Sequence, residues 1–143
     1  MNGFLLDTNC FIQIVRQRPD APQVVSLLAG VSPDRLHLTD YTLHSIGVIM
    51  RRFKQLQGYM AFLSGFSLGK GIRLVTVPVA QLDQVVTTSM TYNLDFDDAH
   101  QYAAAELHNL TLASLDADFD RTPRGRLTPA VALARYAAGQ GTP

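Results

Sequence analysis

The chain has 143 residues, a length that fits one domain built on a single core. Hydrophobic residues make up 47% and charged residues 17%, with no run near the ~18 consecutive apolar residues of a membrane span, which excludes a membrane-embedded protein and a disordered one. Twelve basic residues balance twelve acidic ones, so broad electrostatic attachment to nucleic acid or anionic lipid is excluded and any nucleic-acid contact must be local.

The first apolar run, Phe4-Leu5-Leu6, is too short for a helix and reads as a strand that stops on Asp7. No basic segment precedes it and Asp7 interrupts it early, which argues against a signal peptide and for a cytoplasmic protein. The one cysteine, Cys10, cannot form an internal disulfide, in keeping with a reducing compartment, and reads as a small buried thiol. Phe11, Ile12, Ile14 and Val15 continue into a helix, and Pro22 opens a second that ends near Gly30. The alternation in Arg35-Leu36-His37-Leu38-Thr39 predicts a short strand. Asp40 is then placed to cap a helix whose Leu43, Ile46, Met50 and Phe53 recur at three- and four-residue steps.

Between Gly58 and Gly71 lie a further helix and a glycine-rich turn, followed by a β-branched run from Ile72 to Val77 that Pro78 closes. Gln81 to Met90 is helical, and Asp95 to Leu107, with three consecutive alanines, has the strongest helix propensity in the chain. Leu110 to Leu115 is a strand, Leu127-Thr128 a candidate last short one, and Pro129 opens a terminal helix whose Ala-Gly-rich end after Tyr136 is expected to fray. Strands alternating with helices imply an α/β domain, residues 1–143, with a parallel sheet between helices.

This layout sends three carboxylates towards one sheet edge. Asp7 ends the first strand, Asp98 sits in the first turn of the long helix, and Asp116 follows the strand at Leu110 to Leu115. Open α/β folds keep their ligands at the carboxyl ends of the strands. Carboxylates crowded there repel and raise one another's pKa values, so the pattern asks for a hard divalent cation; magnesium or manganese suits oxygen donors. The chemistry implied is phosphodiester hydrolysis. Asp in these positions also serves as a cap or turn residue, which is how Asp95, Asp97, Asp118 and Asp120 read, with one of each group a candidate supporting ligand. Arg121, Arg124 and Arg126 follow Asp116 and are candidates for backbone phosphates; Arg51, Arg52 and Lys54 read as a solvent or partner face.

The ordered set Leu5-Leu6-Asp7-Thr8-Asn9, Asp97-Asp98-Ala99 and Leu112-Ala113-Ser114-Leu115-Asp116-Ala117-Asp118-Phe119 resembles the PIN-domain nucleases, in particular the VapC-type toxins of toxin-antitoxin pairs. The resemblance implies a three-layer α/β/α sandwich with a mainly parallel sheet, a magnesium- or manganese-dependent endoribonuclease acting on single-stranded RNA, a homodimer, and inhibition by an antitoxin. It carries the family's acidic positions onto Asp7, Asp98 and Asp116, and supporting polar positions onto Asn9 and Ser114.

One position departs from the family pattern. Ser45 stands where the family usually has Glu in the helix after the second strand, and the chain's one Glu, Glu106, lies too late in the alanine-rich helix to replace it. His44 is a poor substitute, being turned ~100° from Ser45 around a helix. The alternative reading is therefore a PIN-like domain with weakened or lost catalysis that acts as an RNA- or protein-binding module. Two other motifs fail: Gly65 to Gly71 lacks the glycine spacing and final Ser or Thr of a phosphate loop, and Asp116 to Leu127 lacks the glycine and Glu of a calcium loop.

Overall fold

The computed structural model describes residues 2–67 and 71–140. Its elements run β1 (Phe4–Leu6), α1 (Thr8–Val15), α2 (Ala21–Gly30), β2 (Leu36–Thr39), α3 (Asp40–Arg52), α4 (Leu56–Ser67), β3 (Arg73–Val75), α5 (Leu82–Tyr92), α6 (Phe96–Leu107), β4 (Thr111–Ala113) and α7 (Pro129–Gln140). The four strands form one parallel sheet in the order β3-β2-β1-β4, with Phe4 opposite Leu36 on one side and Thr111 on the other. The chain therefore builds outward from β1 to β3 and returns to lay β4 against the free side of β1. That reversal leaves a crevice at the carboxyl ends of β1 and β4.

The period of two along the strands divides the core. Phe4, Leu6, Leu36, Leu38 and Ala113 face Phe11, Leu27, Ile46, Met50 and Ala132 from α1, α2, α3 and α7, with Val31 just after α2. Leu5 and Leu112 face the opposite way, into Val85, Leu94, Ala99, Tyr102 and Phe119 beneath α5 and α6. This is the expected α/β/α sandwich, and all its strands are parallel. Among the described residues no helix is long and apolar enough to cross a membrane.

Several boundaries differ from those read in the sequence, each for a tertiary reason. Thr39 rather than Asp40 caps α3, its hydroxyl accepting the Thr42 N–H at 3.0 Å, while the Asp40 carboxylate takes the N–H of Tyr41. Because Thr39 turns into that helix, β2 ends there, and β3 loses its partner after Val75; Thr76 and Val77 stay outside the sheet. Phe53 lies beyond the last turn of α3 and is 47% exposed, its ring covered by the Arg16 guanidinium at 3.3 Å. Leu127 makes a single parallel bridge with Ala113. Helix α7 runs past Tyr136 to Gln140 and docks on α2, where Leu133 lies so close to Gly30 that a Cβ there would sit 2.6 Å from it, and the Tyr136 hydroxyl accepts the Ser32 N–H. The glycine-rich turn ahead of Gly71 falls largely outside the described residues.

Candidate metal centre

Asp7 is the first residue after β1 and the N-cap of α1. One carboxylate oxygen accepts the Thr8 N–H at 2.8 Å and the other the Ser114 hydroxyl at 2.7 Å, so the side chain is clamped between β1 and β4. It is 4% exposed, and burial pushes its carboxyl from 3.8 up to about 6; the bonds from Ser114 and Thr8 oppose that rise, while the charges of Asp116 and Asp95 add to it.

Asp95 caps α6 by accepting the Asp98 N–H at 2.8 Å, which leaves the Asp98 carboxyl in the first turn facing Asp7 and Asp116. Burial first, then the charges of Asp7, Asp95 and Asp116, raise Asp98 to about 8. Beyond β4, the Asp116 N–H donates to Ser114 Oγ at 3.0 Å and its carboxylate accepts the Asp118 N–H at 2.9 Å, opening a short 3-10 turn over Ala117–Arg121. That turn carries the Asp118 carboxylate back, so that single oxygens of Asp98, Asp116 and Asp118 all lie within 4.8 Å of one another. Asn9 contributes two long contacts of 3.5 Å, donating to Ser114 Oγ and accepting the Leu115 N–H.

These groups open into a cleft of about 350 Å³ lined by five aspartates, Asp7, Asp95, Asp97, Asp98 and Asp116; no Lys or Arg is among its lining residues. Ser45 lines the same cleft from α3, and His44 beside it is exposed. Tyr41 closes one wall and donates its hydroxyl to Asp97. Donors that are all carboxylate oxygens, with two acids held well above their ordinary pKa, fit a hard divalent cation. Asp98, Asp116 and Asp118 are the residues that would hold one, with Asp7 behind them.

The three arginines are placed differently. Arg121 donates to the Asn93 carbonyl and pairs loosely with Asp118; Arg126 bonds the Ser114 carbonyl and pairs with Asp120. Arg124 reaches the Leu110 carbonyl at the amino end of β4, in a separate hollow of about 220 Å³ at the opposite end of the sheet from the carboxylates. None of the three lines the cleft. Cys10 is fully buried with its thiol towards the Ala113 carbonyl, and burial pushes that thiol far up, out of nucleophilic range.

The Asp118 carboxylate, a candidate supporting ligand in the sequence, joins Asp98 and Asp116 through the turn over Ala117–Arg121. One feature of the site was not apparent in the sequence. Gln101 lies buried one turn beyond Asp98; its signal was an amide within the run from Ala99 to Ala105 that the helix buries whole.

The PIN domain family signature matches residues 4–125. Among curated proteins no sequence matches the chain. Among solved structures the chain is similar to a toxin-antitoxin complex from Klebsiella pneumoniae, at 23% identity and TM-score 0.68 over 89% of this chain and 98% of that one. It is also similar to PAE2754 from Pyrobaculum aerophilum, at 18% identity and TM-score 0.67 over 95% and 96%, and to FitAcB from Neisseria gonorrhoeae, at 20% identity and TM-score 0.66 over 88% and 97%. At such identities these likenesses establish a shared fold.

Proposed function

Because the chain belongs to the PIN-domain family, a family of nucleases, we propose that it is a magnesium- or manganese-dependent endoribonuclease of the VapC toxin type, cutting single-stranded RNA at the cleft between β1, β4 and α6. The observation that carries this reading is the cluster of Asp98, Asp116 and Asp118 oxygens, the first two lining a cleft whose charged lining residues are all aspartates. Such a cleft repels a phosphodiester unless a cation offsets its charge, which ties substrate entry to metal. When bound, the cation supplies Lewis acidity: it lowers the pKa of a water and stabilises the negative charge that develops on phosphate oxygens.

The chain's own side chains supply placement. Ser114 and Thr8 hold both oxygens of Asp7, so that its charge is fixed beneath the cluster and cannot swing out to solvent. Asp95 and Asp118 order the first turn of α6 and the turn after β4 through backbone bonds, presenting Asp98 and Asp116 from opposite sides. Tyr41 holds Asp97 at the wall. A strand of unpaired RNA would meet these groups along an open cleft rather than a closed pocket, as suits a chain passing through.

A protein antitoxin as partner is supported by the Klebsiella neighbour, which is a toxin-antitoxin complex. A homodimer in the cytoplasm completes the proposal. Cleavage of a fluorophore-quencher RNA pool with manganese or magnesium, set against EDTA and against Asp98→Asn, tests the activity, and light scattering tests the dimer. Ser45 in the cleft favours one second reading, a domain with weakened catalysis that binds RNA or protein. Metal-dependent RNA binding without cleavage, in a protein whose Ser45→Glu variant also fails to cut, would select it.

A further inference from the structure

We infer that Gln101 is a positioning residue that sets the separation between the Asp7 and Asp98 sides of the site; this role rests on the metal-dependent reading above. Gln101 is 2% exposed and lies one turn along α6 from Asp98. Its amide nitrogen donates to Thr8 Oγ1 at 3.1 Å and to Thr42 Oγ1 at 2.6 Å, and its carbonyl oxygen accepts from Thr39 Oγ1 at 3.3 Å. The Thr8 and Thr42 hydroxyls are themselves 2.9 Å apart. One side chain thus ties together the end of β2, the first turn of α3, the start of α1 and the helix that carries Asp98.

The tie reaches the carboxylates directly. Thr8 follows Asp7 in the chain and gives it its N–H, so fixing the Thr8 hydroxyl fixes the turn on which Asp7 is mounted. When Asp98 and Asp7 are both ionised their charges repel, a push directed between α6 and the end of β1. Apolar packing opposes that push without direction, because burial depends on area and not on orientation. A buried amide is different: it is costly unless its donors and acceptor are all satisfied, and here they are satisfied in one relative placement of the four elements. The other buried residues of α6 are Ala99, Ala103, Ala104 and Ala105 with the rings of His100 and Tyr102, so Gln101 is the one buried amide of the helix and its bonds, not bulk alone, distinguish it.

The test measures manganese affinity by titration, with melting temperature in EDTA alongside. Gln101→Met keeps the volume and removes the bonds; Thr42→Val removes a hydroxyl that Thr42→Ser keeps. Val85→Ala thins the packing between α5 and α6 without touching the network and serves as the stability control. Gln101→Met and Thr42→Val should each weaken manganese binding by about tenfold or more, as losses of ligand-supporting bonds do. Thr42→Ser should stay within about twofold of the parent, and Val85→Ala should melt lower yet bind like the parent. Should Gln101→Met not fold, the contrast between Thr42→Val and Thr42→Ser decides. Parent-like affinity in folded Gln101→Met or in Thr42→Val, or an equal loss in Val85→Ala, overturns the inference while leaving the metal site in place. A parent that binds no manganese overturns the functional reading, and this role with it.

Discussion

Replacing Asp7 with Asn should stabilise the metal-free protein while abolishing its response to metal. In the folded protein burial raises the Asp7 carboxyl from 3.8 to about 6, so keeping it ionised at pH 8 opposes folding by ~3 kcal/mol. For an acid raised in this way the folded state holds more protons than the unfolded one between pH 4 and 6, and stability falls as pH rises through that window. Asn retains the oxygen that caps Thr8, since Asn is as good an N-cap as Asp, but it disturbs the Ser114 bond at a cost of ~1 kcal/mol. The net gain at pH 8 is then ~2 kcal/mol, or roughly 5–10 °C in Tm for a domain of this size. At pH 5 Asp7 is mostly protonated in the fold, the cost of its ionisation falls to ~1.6 kcal/mol, and the net gain should shrink to about a third. Differential scanning calorimetry at both pH values, in EDTA and in millimolar manganese, measures all four cases. Manganese should raise the Tm of the parent and leave the variant unmoved. A variant that melts at or below the parent in EDTA at pH 8 would show that the Asp7 charge is not under strain, and the argument for a buried, cation-seeking carboxylate would fail.

Metal-free parent should itself melt higher at pH 5.5 than at pH 8.5, because Asp7 and Asp98 are raised to about 6 and about 8 and both bind protons across that range; a flat or opposite profile in EDTA counts against the raised values. Ser45→Glu places a carboxylate in the cleft from α3 and should tighten manganese binding about tenfold by calorimetric titration; an unchanged or weaker affinity would mean that position 45 does not reach the cation. Cys10, fully buried, should react with a thiol reagent only after denaturation, as absorbance with an aromatic disulfide would report. Phe119→Ala empties a fully buried ring site under α6 beside the Asp116 turn and should cost ~3–5 kcal/mol, read as loss of cooperative melting or a large fall in Tm.

What the sequence determined by itself was local. Three apolar residues ending on Asp7, an Asp95 cap before an alanine-rich helix, and a proline opening α7 each state their structure through burial, capping or propensity within a few residues. The three aspartates were legible for the same reason: a charge at the end of a buried strand or in a helix's first turn is visible without knowing what lies opposite. The ends of β2 and β3 were not, because one strand stops when Thr39 turns to cap a helix and the other stops for want of that partner.

The tertiary structure alone decided that β4 returns to lie beside β1, since strand order in a parallel sheet depends on how distant helices pack and not on any residue's own preference. That choice sets Ser114 against Asp7, turns the Asp118 carboxylate towards Asp98, sends the Arg124 guanidinium to the far end of the sheet, and closes the ring of hydroxyls around Gln101. Each of these pairs residues that are far apart in the chain or are oriented by a turn. Their geometry, and the raised pKa values that follow from burial among like charges, exist only once the sheet has assembled.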